Sequence, residues 1–273
     1  VDLPSVDVTV LCDAVAVFPE AVETALPGWS ASHQEWTAAS APGSVAADGG
    51  WWLHFHSYLV TSSAGAMLVD TGIGPAGGEA AEWLGTVGRL PALLSAAGVR
   101  ADEIDTVVLT HIHLDHAGWN LEAAVPRFGN ATYVVQQAEL EHARGGATYE
   151  RLIRPLADAG QLRAVDGETS LDGGVRLLPT PGHTPGHQCV VTSRAVLGGD
   201  VLVHPAQARW PELTYVYESE PAVAVTSRRD VLALAAATGV PIAAAHPQTA
   251  FTGTASPLPA VSPGREVCPP HKL

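Results

Sequence analysis

Apolar residues in this chain fall into short runs from Leu53 onward. Residues 55–60 (Phe-His-Ser-Tyr-Leu-Val) and 66–69 (Ala-Met-Leu-Val) flank a Thr-Ser-Ser-Ala-Gly spacer, the pattern of a β-hairpin. Further compact runs predict strands over 105–110, 132–135, 175–178, 189–192, 195–197 and 242–245. Leu90, Leu93 and Leu94, followed by Gly98, predict a helix over 91–97 with a glycine stop. Residues 136–144 and the alanine-rich 223–238 predict two more helices. Residues 19–50, rich in Ala, Ser, Gly and Pro, read as an irregular flap. Strands alternate with helices, but hairpins interrupt the alternation. That combination predicts the α/β class, a sandwich built from mixed sheets. No repeat or linker divides the sequence, so a single domain over 1–273 is expected. Residues 1–52 would form its N-terminal strand and flap, and 251–273 its C-terminal tail.

Composition narrows the function classes. The chain has 28 acidic and 14 basic residues, a net charge of −14, and 47% apolar residues. An acidic chain is a poor nucleic-acid binder, because phosphate contacts dominate that affinity. The apolar fraction is too high for a disordered chain. The longest apolar stretch, 231–245, is shorter than a membrane span and is broken by Thr238, Gly239 and Pro241. Cys12, Cys189 and Cys268 lie far apart with no CxxC, so a reducing, cytoplasmic compartment and no disulfide framework are expected. No secretory leader is expected either. Arginine in place of lysine, with abundant Ala, Gly and Pro, has the look of a bacterial sequence.

The twelve histidines then become informative. His111-Ile-His113-Leu-Asp115-His116 places four ligand-type side chains directly after an apolar strand. On an extended loop His111 and His113 point one way, while Asp115 and His116 reach a second point. One metal cannot easily use all four, but two adjacent metals can. Imidazole and carboxylate donors suit Zn²⁺, Fe²⁺ or Mn²⁺. Ala117-Gly118 leaves room for close approach. His183 lies in a Pro/Gly-rich turn, and Asp200 and His246 each end an apolar run.

With these residues in view, the sequence resembles the metallo-β-lactamase superfamily over about residues 53–250. Residues 68–72 and 108–111 are also family-like. The resemblance implies an αββα sandwich with a dinuclear metal site, most naturally two Zn²⁺. It implies that His111, His113 and His183 hold one metal and that Asp115, His116 and His246 hold the other. Asp200 would bridge both, and Asp70 would orient a ligand. A homodimer is also implied by relatives. The stretch 199–207, Gly-Asp-Val-Leu-Val-His-Pro-Ala-Gln, is most similar to the lactonase and organophosphate-hydrolase branch. Acyl-homoserine lactonases carry a tyrosine three residues after the bridging aspartate, and Val203 stands there. His204 is the nearest replacement proton donor, with Tyr215 and Tyr217 as others.

The expected catalytic residues are therefore Asp115, Asp200 and His204. Trp52, Phe55, Trp119, Trp210, Tyr215, Tyr217 and Phe251 are expected to line an apolar substrate pocket, since aromatic rings offer large contact areas. His187 reads as structural, and His54 and His56 as either cavity rim or buried hydrogen-bonding groups. The implied reaction is attack by a metal-bridging hydroxide on a lactone, ester or thioester of a neutral, largely hydrophobic small molecule. The alternatives are an organophosphate triesterase, a polyketide-type thioesterase or a non-hydrolytic or oxygenase step. From a different class, a metal-binding or redox protein remains open.

Overall fold

The computed structural model describes residues 5–46 and 50–252, with side chains through Ala250. Strand β1 (Asp7–Val17) pairs antiparallel with β2 (Trp52–Ser62), which turns at residues 63–64 into β3 (Gly65–Val69). The expected hairpin is present, and its first strand starts three residues earlier than the apolar run. Next come β4 (Ile104–Val108), a small hairpin of β5 (Leu121–Glu122) and β6 (Val125–Pro126), β7 (Thr132–Gln136) and β8 (Leu162–Val165). The first sheet has the order β1-β2-β3-β4-β7-β8, parallel from β3 onward.

The second sheet comprises β9 (Thr169–Leu171), β10 (Val175–Pro179), β11 (Gln188–Val191), β12 (Val196–Gly199), β13 (Ile242–Ala244) and β14 (Phe251–Thr252), in reverse spatial order. Only β12 and β13 are parallel neighbours in it. A parallel pair needs a crossover, and the helix Pro221–Thr238 supplies it. That helix opens on proline in its first turn and ends at Gly239, whose φ of +71° suits a residue without Cβ.

Strand alternation sorts the core into layers. Val108 and Val134 point between the sheets, where they meet Leu177, Val190 and Leu197. Val107, Tyr133 and Val135 point the other way, onto Leu90, Leu94, Ile153 and Leu156 of the helical layer. On the far side Val191, Val196 and Ile242 pack on Val231 and Ala235 of the long helix. The result is helix, sheet, sheet, helix, the layer order that the family resemblance implies. Each fully buried Leu or Val contributes about 1.5–3 kcal/mol of apolar transfer.

The flap differs from expectation. Residues 19–50 contain helices Val22–Ala25 and Ala31–Ser40. Only Thr37 is buried in the second, so no apolar stripe announced it. Its start is held instead by His33, whose Nδ1 accepts the Ser30 N–H at 2.9 Å. The C-terminal stretch also contributes: the Phe251–Thr252 backbone forms the sheet edge beside β13. No helix among the described residues is long and apolar enough to cross a membrane.

Candidate metal centre

Five strand ends converge at one edge of the sandwich. Asp70 follows β3, the 111–116 loop follows β4, and the turn between β10 and β11 carries His183. Asp200 follows β12 and His246 follows β13. Asp70 has φ +57°, a left-handed conformation that Asp tolerates better than most residues. The bend aims its carboxylate at Thr110, from which it accepts the backbone N–H at 2.7 Å and the hydroxyl at 2.8 Å. Gly199 has φ +49°, and a Cβ there would lie 2.7 Å from Thr110 Oγ1 and 2.9 Å from His187 Nε2. Glycine is therefore required just before Asp200. Gly118 is equally constrained, because a Cβ would lie 2.2 Å from the Ile73 carbonyl carbon.

Two groups of donors result. In the first, His113 Nδ1 lies 3.0 Å from His111 Nε2 and 3.1 Å from His183 Nε2. Asp200 Oδ2 is 3.2 Å from His183 Nε2 and 3.9 Å from His111 Nε2. In the second, Asp115 Oδ2 is 3.6 Å from both His116 Nε2 and His246 Nε2. The other oxygen of Asp200, Oδ1, is 3.3 Å from His116 Nε2 and 3.0 Å from His246 Nε2. Asp200 thus offers one oxygen to each group. All seven residues proposed from the sequence meet here.

Electrostatics distinguish the groups. Burial, followed by the neighbouring imidazoles, holds His111 well below its ordinary pKa. Burial likewise lowers His113 and His183, against the pull of nearby carboxylates. Burial also opposes protonation of His116 and His246, but the carboxylates around them, Asp200 foremost, outweigh it and raise both. Asp200 is held well below the carboxylate range: burial opposes this, and His246, His116 and His183 overcome it. His116 Nε2 and Asp200 Oδ1 are buried without a hydrogen-bond partner. Buried polar atoms are normally satisfied. Converging imidazole nitrogens and carboxylate oxygens, with orphaned atoms among them, are the chemistry of a cation site. The donor set fits two divalent ions.

The surrounding groups fix these donors. Asp70 Oδ2 lies 2.8 Å from His116 Nδ1, and His246 Nδ1 lies 2.8 Å from the His54 carbonyl oxygen. His187 is structural, as expected: its Nε2 accepts the Asp200 N–H at 3.1 Å and its Nδ1 meets Thr180 Oγ1 at 2.8 Å. Sequence reasoning missed Glu139. Its carboxylate accepts Ile112 N–H at 2.8 Å, Thr184 Oγ1–H at 2.6 Å and Gly186 N–H at 3.1 Å, tying two ligand loops together. It also missed Asp13, at a bulge in β1, which accepts N–H groups from Ile73, Arg89 and Leu90 at 2.6–2.8 Å.

A cavity of about 280 Å³ opens over the donors. Tyr215 and Tyr217 line it, as expected, together with Phe18, Trp51, Trp83 and Val203. Four other expected lining residues are not among those walls. Trp119 donates Nε1–H to Asp13 at 3.2 Å and packs under Arg127. Trp210 packs against Trp36 and His33 in an outer cluster. Phe55 lies behind His246, ring centroids 5.2 Å apart, and Trp52 also lies off the cavity wall. The side chain of Phe251 lies outside the described residues.

His204 needs a similar correction. It is only 1% exposed and sits edge-on between Trp29 and Trp51, away from the cavity wall. Its Nδ1 accepts the Ala206 N–H at 3.1 Å. Burial, then the charge of His33, pushes its pKa down to about 3. It is neutral at pH 7 and poorly placed to hand a proton to a substrate.

Comparison with known proteins identifies the family and the fold. An N-acyl homoserine lactonase of Bacillus sp is 30% identical over 148 residues, covering 49% of this chain and 56% of the relative. The chain thus spans a little over half the length of the curated relatives it matches first. The hydrolase AbOPH, of the beta lactamase superfamily, has a similar fold, with TM-score 0.78 and 23% identity over 92% of this chain and 91% of that one. So has AidC, a dizinc quorum-quenching lactonase, with TM-score 0.74 and 19% identity over 95% and 94%. The profile described as "Metallo-beta-lactamase superfamily" matches residues 51–246, most of the chain and every candidate ligand. The chain belongs to the metallo-β-lactamase superfamily.

Proposed function

We propose that this protein is a dinuclear metal-dependent hydrolase of lactones and related esters with an apolar acyl part. The observation that carries the proposal is Asp200, whose two oxygens face different donor groups beneath an apolar cavity. His111, His113 and His183 would hold one cation, Asp115, His116 and His246 the other, and Asp200 would serve both. Zn²⁺ is the first choice for such donors, with Fe²⁺ and Mn²⁺ compatible. Divalent cations so held supply Lewis acidity and bring the pKa of water toward neutrality.

The chain's own residues do the rest. Tyr215 stacks parallel to the His183 ring, 6.2 Å away with 9° between planes. Burial, reinforced by the charges of Asp200 and Asp115, holds its hydroxyl well above the ordinary tyrosine pKa. It stays protonated and donates a hydrogen bond to the substrate oxygen, the part that Val203 cannot play. Asp115 lines the cavity, where its carboxylate would take the proton given up by the attacking water and pass it to the departing alcohol oxygen. Phe18, Trp51, Leu53 and Val203 hold the acyl part and exclude water. No arginine or lysine is among the described lining residues, so a neutral substrate is favoured over a phosphorylated or polyanionic one.

The test is a panel of acyl-homoserine lactones, simple lactones, aryl esters, thioesters and phosphotriesters offered to the zinc-loaded chain. Turnover of lactones or esters that improves with an apolar acyl group is expected. Turnover of phosphotriesters alone, or of nothing in the panel, would overturn the proposal.

A further inference from the structure

Behind the metal centre lies a second cluster of metal-ligating side chains, Cys12, His54 and His56. Alternation along β1 sends Val8, Val10 and Cys12 to the inner face of the first sheet. His56 is the direct cross-strand partner of Cys12, and His54 is two residues away on β2. One ligand atom from each of the three lies within 4.8 Å of the others. Cys12 Sγ is 3.7 Å from His54 Nδ1. For Zn–S of about 2.3 Å and Zn–N of about 2.05 Å, tetrahedral ligands sit about 3.6 Å apart. The two imidazoles stack with centroids 5.7 Å apart and 27° between planes. The three residues are 2%, 0% and 2% exposed.

We infer that this cluster is a third metal site, for one thiophilic cation of the Cu⁺ or Zn²⁺ class held by a thiolate and two imidazoles. The donors include a soft thiolate, unlike the pair of donor groups at the strand ends, which combine imidazoles with carboxylates. A thiolate cancels the charge of Cu⁺ and halves that of Zn²⁺, which matters where net charge is buried. Binding releases the Cys12 thiol proton to solvent. The location gives the ion a structural role. His54 N–H donates to the His246 carbonyl at 3.0 Å, and His246 Nδ1 is 2.8 Å from the His54 oxygen. His56 N–H reaches the Ala245 carbonyl at 3.1 Å. An ion joining Cys12 to both histidines clamps β1 to the part of β2 that backs His246. Cys189 is not part of this cluster: its Sγ lies 3.4 Å from Thr180 Oγ1 and 3.6 Å from the Gly198 carbonyl oxygen.

The site shares no residue with the proposed dinuclear centre, which contains no sulfur donor, so the two readings fail separately. The full chain, stripped by chelator under reducing conditions, is reloaded with Co²⁺ in one experiment and titrated anaerobically with Cu⁺ against a chromogenic chelator in another. The expected result is a thiolate-to-cobalt charge-transfer band in the near ultraviolet, or one tightly held Cu⁺ per chain. Either signal should vanish in Cys12→Ser and persist in the Cys189→Ser/Cys268→Ser double variant. The visible cobalt bands of the dinuclear centre should survive in Cys12→Ser. If wild-type protein shows neither signal, or if the signal persists in folded Cys12→Ser, the inference is overturned. Should Cys12→Ser not fold, the double variant decides: a retained signal assigns Cys12 and a lost one excludes it.

Discussion

Asp70 Oδ2 lies 2.8 Å from His116 Nδ1, so Nδ1 donates to that carboxylate and Nε2 is the atom turned toward Asp115 and Asp200. The same carboxylate holds Thr110, whose Oγ1 is 3.0 Å from His111 Nδ1. One strained aspartate therefore orients a donor in each group.

Asp70→Asn keeps the size and replaces one acceptor oxygen by an N–H donor that meets other donors. Partners of this kind typically affect metal affinity by about 10–100-fold. Chelator competition should show a loss of that order, with the circular dichroism spectrum unchanged. Unaltered affinity would show that the contact does not tune the metal.

Asp200 belongs to both donor groups, whereas His246 belongs to one. Asp200→Ala should lower content at both positions, and His246→Ala should hold about one cation per chain fewer than the wild type by elemental analysis. His111→Ala should likewise deplete the other position. Activity should fall by more than about 100-fold in all three, since Lewis-acid stabilisation amounts to several kcal/mol at about 1.4 kcal/mol per decade. Equal metal retention in Asp200→Ala and His246→Ala would contradict the bridging assignment.

The candidate donor set was legible because four donors are compressed into residues 111–116, His183 lies in a Pro/Gly-rich turn, and Asp200 and His246 each close an apolar run. The layers were legible for the same reason: strand and helix periods survive in the sequence. Glu139 and Asp13 were not, because their partners are backbone N–H groups from loops far away in sequence, which no side-chain pattern marks. The cavity wall was the least legible part. Phe18 and Trp83 reach it only through the folding of segments with weak periodicity. Trp119 and Trp210 instead satisfy local packing that sequence proximity to His116 and Asp200 did not reveal.

If Tyr215 donates to the substrate oxygen as charge develops there, removing its hydroxyl costs transition-state stabilisation more than binding. Tyr215→Phe keeps the stacking on His183 and should lower kcat by about 10–100-fold, below the usual range for a principal oxyanion donor, with KM little changed. A rise in KM at constant kcat would make Tyr215 a wall residue only. Metal content serves as the control and should not change.

His204 ties stability to pH. It is buried and neutral in the folded protein, with a pKa near 3, and titrates near 6.5 when unfolded. Between these values the unfolded chain binds the extra proton, so stability rises with pH there. The contribution is complete above pH 6.5 and is lost as the pH falls toward 3, at up to about 1.4 kcal/mol per pH unit. From pH 6.5 to 4.5 that amounts to at most about 3 kcal/mol from this one group. His204→Phe keeps an aromatic ring between Trp29 and Trp51 but cannot titrate. Its urea midpoint should therefore fall less steeply on acidification than that of the wild type, compared in the same metal-free state. Parallel pH profiles for the two proteins would mean that His204 does not drive the acid sensitivity.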